Sequence, residues 1–186
     1  MSRTRRIIAT SAVLATAGFG SLAAATLAGA TTSHCAANPY CYTQEVHGTS
    51  LVMADSSGPA HDNAAVLVEN QSSKSSASDF LAGLAPFPTT SNAKLFEYAP
   101  KGKLSGFCVS EPKSHAALVL RYCDGSANQA WDATQAGETY EWINEATGDA
   151  MTDGPKASNN PGNAGTQLTG QNVTGKANQL WDAVQN

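Results

Sequence analysis

The chain has 186 residues with a formal net charge of −4, and only 14% of its residues are charged. Its basic residues are few and scattered, so an electrostatic footprint for nucleic acid or for an anionic membrane is missing. Gly, Ser, Asn, Thr and Ala are frequent and no long charged helical pattern occurs, which points to short strands joined by turns.

Met1 to about Ala30 reads as an export signal and not as part of a fold. Arg3, Arg5 and Arg6 form the positive start, an Ala/Leu/Val/Ile run follows from Ile7, and Ala28-Gly29-Ala30 offers small residues for cleavage. The run carries glycines, threonines and serines, too polar for a good membrane anchor of that length. Arg5-Arg6 hints at twin-arginine export, although the general route fits as well. Removing about 30 of the 186 residues leaves about 156, suited to one domain, and losing three arginines takes the charge from −4 to about −7. The expected mature protein is secreted, with no membrane insertion.

Four cysteines in an exported chain read as two disulfides. They can pair in three ways; the local pairing is Cys35 with Cys41 and Cys108 with Cys123. A metal site is not expected, since CxxC and HExxH are absent and His34, His47, His61 and His115 are scattered.

After a short segment at 31–39, the remaining chain, 40–186, falls into three copies of about 50 residues. Each opens on an aromatic strand candidate: Tyr40 to Val46, Lys94 to Tyr98 and Thr139 to Ile143. Each continues with an apolar pair of segments. These are Leu51-Val52-Met53 with Val66-Leu67-Val68, then Phe107-Cys108-Val109 with Leu118-Val119-Leu120, then Ala150-Met151 with a weaker Gln167-Leu168-Thr169. Turn-rich stretches separate the members, such as Asp55-Ser-Ser-Gly-Pro and Glu111-Pro-Lys-Ser. Each copy ends on one phrase: Ala127-Asn-Gln-Ala-Trp-Asp-Ala133 and Ala177-Asn-Gln-Leu-Trp-Asp-Ala183 differ at one letter, and Ser78-Asp79-Phe80-Leu81-Ala82 is a worn version. Phe80, Trp131 and Trp181 lie 51 and 50 residues apart.

Three copies are too few for a propeller but suffice for a closed barrel capped by three hairpins, which leaves no exposed sheet edge. Asn-Gln-x-Trp near the end of the repeats, with Cys123 eight residues before Trp131 and Cys108 one strand earlier, resembles the β-trefoil of ricin B-type lectins. The resemblance covers roughly Tyr40 to Asn186 and implies an all-β fold of twelve short strands, in repeats of about 40–90, 91–136 and 137–186. Phe80, Trp131 and Trp181 are then core residues, and Gln129 and Gln179 structural hydrogen-bonders. Trp142 is left open between core and surface.

In that family each repeat holds a sugar with an Asp two residues after the first Cys position, an aromatic platform two residues before the second, and the Asn of the phrase. Carried onto this chain, the Asn stands at Asn128 and Asn178, with Ala77 in the first repeat. The Asp position reads Ala54, Ser110 and Thr152, and the platform reads Asn70, Arg121 and Gln171. No repeat keeps the full set. Each does carry an acid one place further along, at Asp55, Glu111 and Asp153. As displaced carboxylates they make Asp153 with Asn178 the best candidate site and Glu111 with Asn128 the next, provided that a bulge or early turn undoes the reversal of face that a one-residue shift brings. Turn-capping acids beside structural asparagines are the favoured account, since they require no ligand. Tyr40, Tyr42, Tyr98, Tyr122 and Tyr140 offer a non-standard platform, with core or hairpin packing their commoner fate.

No Gly-x-Ser-x-Gly, zinc motif or phosphate loop is present, so no catalysis and no cofactor are expected. Asn-x-Ser/Thr at Asn70 and Asn172 matters only if the source glycosylates exported proteins. Two functions follow by analogy of fold. One is a secreted carbohydrate-binding protein with partly degenerate sites for a glycan or polysaccharide. The other is a secreted β-trefoil that binds a protein, as a protease inhibitor or a subunit of a secreted complex, through loops such as 85–92 and 154–165.

Overall fold

The structure, a computed structural model, describes residues 41–56, 59–71, 80–84 and 93–185. The expected export signal, the segment 31–39, Tyr40, Ala77, the loop 85–92 and the expected Cys35–Cys41 pairing lie outside the described residues. Among the described residues no helix is long and apolar enough to cross a membrane.

Twelve antiparallel strands form one sheet system: β1 Cys41–Val46, β2 Leu51–Asp55, β3 Val66–Asn70, β4 Phe80–Leu84, β5 Lys94–Tyr98, β6 Phe107–Ser110, β7 Val119–Tyr122, β8 Trp131–Ala136, β9 Thr139–Asn144, β10 Ala150–Asp153, β11 Leu168–Gln171 and β12 Trp181–Gln185. Six of them close a ring, in which β1 pairs with β4, β4 with β5, β5 with β8, β8 with β9, β9 with β12, and β12 with β1. The other six are the hairpins β2–β3, β6–β7 and β10–β11. Single bridges Ala65–Val119, Ala117–Thr169 and Leu67–Gln167 tie each hairpin to both others. A six-stranded barrel capped by three mutually bridged hairpins is a β-trefoil, the fold that the repeated phrase implies.

The phrase builds this closure directly. Ala127–Gln129 and Ala177–Gln179 each form a short 3-10 turn, and the following Trp starts a barrel strand. Trp131 and Trp181 are fully buried, and Phe80 is 1% exposed. The indole N–H of Trp131 donates to the Val109 carbonyl at 3.1 Å, and that of Trp181 to the Met151 carbonyl at 3.1 Å, so each ring fastens the barrel to its own hairpin. Trp142 also belongs to the core: it meets Phe96 edge to face at 4.8 Å and donates to Gln44 Oε1.

Gln129 and Gln179 hold equivalent loops in the same way. Gln129 donates to the Tyr122 carbonyl and accepts from the Asp124 and Gly125 N–H groups. Gln179 donates to the Asn172 carbonyl and accepts from Thr174 N. The Cys108–Cys123 disulfide joins β6 to the residue that follows β7. It closes a loop of 15 residues, worth on the order of 3 kcal/mol of chain entropy.

Candidate functional site

Asp55, Glu111 and Asp153 occupy equivalent places, at the end of the first strand of each hairpin or one residue beyond it. All three are buried, at 3%, 0% and 1% exposure, and each leaves one carboxyl oxygen without a partner. Every residue of β2, β6 and β10 is buried, on both faces of the strand. A one-residue shift along such a strand therefore exchanges one buried face for another. Burial pushes the Asp55 carboxyl up in spite of the Ser56 N–H and His61, and pushes Asp153 up in spite of the Gly162 N–H.

The third repeat brings Asp153 and Asn178 together through the Asp153 main-chain carbonyl. Asn178 is 1% exposed and its amide is fully spent inside the protein. Its Nδ2 donates to the main-chain carbonyls of Asp153 at 2.8 Å and Lys156 at 3.0 Å, while its Oδ1 accepts from Ser158 N at 2.7 Å. The Asp153 carboxylate accepts from Gly162 N at 2.7 Å, further along the same loop. The β10–β11 loop is thus held against Asn178 and Asp153 by its own main chain. Asn178→Ala removes three hydrogen bonds from buried main chain and is expected to cost about 3 kcal/mol, read as a fall in melting temperature of roughly 8 °C.

The second repeat is open at the equivalent place. Its β6–β7 loop is shorter than the β10–β11 loop and leaves a groove of about 400 Å3, lined by Asp62, Ser110, Pro112, Arg121, Tyr122, Asp124, Asn128 and Gln129. Asn128 is half-buried, with its side-chain amide against Ser126 Oγ. Ser110 stands where Thr152 stands in the third repeat. The Thr152 hydroxyl accepts from Gln179 and donates to the Ala150 carbonyl, whereas the Ser110 hydroxyl is buried without a partner. Tyr122 is 68% exposed, and its ring is braced against Phe107 at 4.6 Å.

Charge in the groove comes from three side chains. Asp124 accepts from both the N–H and the hydroxyl of Ser126, which hold its carboxyl below the usual range, so it is ionised at neutral pH. Arg121 Nη1 donates to Asp62 Oδ2 at 3.0 Å, an exposed pair that neutralises itself and contributes little stability. The groove thus offers one uncompensated carboxylate, a half-buried amide and a flat ring, which together match the hydroxyls and the apolar face of a sugar ring.

Of the four residues expected at a site, Asn128 alone lines this groove. Glu111 joins it only through the main chain, its N–H donating to the Asn128 carbonyl at 2.9 Å. The Glu111 carboxyl turns away to the third repeat. There Oε2 accepts from Thr147 Oγ1, Asp149 faces it, and Gly170 of β11 packs so closely that a Cβ would fall 1.7 Å from Oε1. Burial first, and the adjacent Asp149 carboxylate after it, push Glu111 up to about 7 against the opposing effect of Thr147. Asp149 is held below its usual value although burial opposes this, because His115 N, Ser114 Oγ and Glu111 all hydrogen-bond to it.

Ser114, His115 and Asp149 do not form a nucleophilic triad. The serine hydroxyl donates to Asp149 Oδ2 itself at 2.8 Å, and His115 Nδ1 lies 3.7 Å from that same oxygen. Among the described residues, the one set at metal-ligand spacing is Glu97 with Cys108 and Cys123, whose sulfurs are bonded to each other and offer no thiolate.

No protein-family model and no curated protein matches the chain. Solved structures match its fold. The designed 3-fold symmetric protein ThreeFoil superposes with a TM-score of 0.62 at 14% identity, over 78% of this chain and 99% of its own. The Rhizoctonia solani agglutinin gives 0.63 at 14% identity, over 80% and 96%. The Polyporus squamosus lectin, solved with the epitope Neu5Aca2-6Galb1-4GlcNAc, gives 0.56 at 19% identity, over 77% of this chain and 48% of the lectin. The chain is a β-trefoil whose structural neighbours include lectins and agglutinins; at these identities the likeness is one of fold.

Proposed function

We propose that the protein is a secreted, non-catalytic carbohydrate-binding β-trefoil that takes its glycan in the groove of the second repeat. The observation that carries this reading is the contrast between equivalent places. In the third repeat the Asn178 amide is spent on main chain of the loop and the Thr152 hydroxyl on Gln179 and the Ala150 carbonyl, while in the second Asn128 lines an open groove beside an exposed tyrosine. Trefoil lectins among the structural neighbours support a glycan as the ligand. An open surface groove of this kind implies a weak, shallow contact.

A glycan array that includes bacterial and fungal wall polysaccharides tests the reading. Asn128→Ala, Asp124→Ala and Tyr122→Ala are each expected to weaken the best glycan by about tenfold or more, since each removes a polar or ring contact worth at least 1.4 kcal/mol. Their melting temperatures should stay within a few degrees of the parent, as none is a core residue. A blank array together with a captured secreted protein would replace this reading with the protein-binding one.

A further inference from the structure

We infer that Glu111 is a positioning residue for the second-repeat groove, holding the groove wall in its open shape only while its buried carboxyl carries a proton. The consequence for ligand capture rests on the glycan reading above; the consequence for groove shape does not.

Glu111 lies between Ser110 and Pro112, which both line the groove. Its N–H and the Asn144 side-chain amide donate to the same Asn128 carbonyl, at 2.9 and 3.0 Å. Asn144 Oδ1 in turn accepts from the N–H groups of Ala146 and Thr147, and Thr147 donates its hydroxyl to Glu111 Oε2. Glu111, Thr147, Asn144 and Asn128 thus close a ring of hydrogen bonds, and two members of the groove wall hang from it.

The other side of the Glu111 carboxyl is completed by one proton. Glu111 Oε1 finds no donor, and what faces the carboxyl is another acceptor, Asp149, whose Oδ2 already takes Ser114 Oγ and His115 N. Protonated, Glu111 becomes a donor to Asp149. Ionised, it sets two carboxylates against each other away from water, a strongly unfavourable arrangement. Retreat toward β11 is blocked by the Gly170 main chain. The charged groups facing Glu111 are Asp149 from the β9–β10 turn and His115 from its own loop. β11 presents only Gly170, and the 3-10 turn presents only the Asn128 carbonyl. Relief therefore comes by displacing Glu111 together with its chain neighbours Ser110, at the end of β6, and Pro112.

The test follows the ligand-free protein by NMR from pH 5 to 8.5, reading the Glu111 side-chain carboxyl carbon and the amides of Ser110, Asn128, Thr147 and Gly170. We expect all of them to move with one midpoint near 7, the movement to vanish in Glu111→Gln, and the midpoint to survive in His115→Gln. Overturning results are a Glu111 carbon that titrates in the ordinary carboxylate range, groove amides that stay still while Glu111 titrates, or a transition lost with His115. The wild-type carbon reading decides the first two even if a variant fails to fold. With any glycan identified on the array, capture should weaken several-fold from pH 5.5 to 8.5 in the wild type and stay level in Glu111→Gln. A blank array overturns the proposed function and leaves the NMR result standing.

Discussion

Trp181→Ala is expected to lower the stability of the fold by about 4 to 5 kcal/mol, which for a domain of this size is a loss of roughly 12 to 15 °C in melting temperature. The residue is fully buried where β12 enters the barrel, and its ring leaves a cavity that three repeats of backbone cannot collapse around. Its indole N–H also pairs with the Met151 carbonyl, which the alanine leaves unmatched. Against a typical total of 5 to 15 kcal/mol, the variant would stand near the edge of folding. Thermal melts followed by circular dichroism read the effect. A loss below 2 kcal/mol would mean that the tryptophan is not part of the shared core. Trp131→Ala, in the equivalent place and with the equivalent bond to Val109, should behave alike.

The second large effect is on pH. Glu111 binds its proton more tightly in the folded chain, at about 7 against an ordinary value of 4.5, so between those values the folded state holds protons that the unfolded state has released. Stability from this group is then fully present below about 4.5 and is lost as pH rises through about 7, amounting to about 3 kcal/mol. Asp55 and Asp153 are raised as well and act in the same direction from lower pH. Asp149 and Asp124 are lowered, so their contribution is lost as pH falls through the acid range. The optimum should therefore lie in mildly acid solution. Urea unfolding at pH 5 and pH 8 measures this: the midpoint is expected about 1 M higher at pH 5, and Glu111→Gln should remove most of the difference. Greater stability at pH 8 would contradict the burial of an unpaired carboxyl.

The architecture was legible in the sequence because the repeated phrase is itself the closing device. Phe80, Trp131 and Trp181 are the three buried anchors of a threefold core, so their spacing carried the topology. The apolar pairs upstream marked the hairpins even where the third was weakly apolar, since Leu168 and Met151 alone supply its core contacts. The site was less legible for two physical reasons. Alternation along a strand locates a surface only when one face is wet, and β2, β6 and β10 are buried on both, so the displaced acids read as possible ligand contacts turned out to be interior groups. The groove, moreover, is assembled across repeats: Asp62 reaches Arg121 from 59 residues away, and the difference between an open second repeat and a filled third is set by loop length. Tyr122, beside the platform position that Arg121 occupies, was the nearest signal available.

The glycan reading stands on the groove that Ser110, Arg121, Tyr122, Asp124 and Asn128 line. An amide chemical-shift titration of the folded protein with the best glycan from the array puts it to the test. Shifts are expected to gather at Arg121, Tyr122, Asp124 and Asn128 and to saturate with a single midpoint. Shifts centred on Ser158 and Asn178, with the groove amides still, would overturn it.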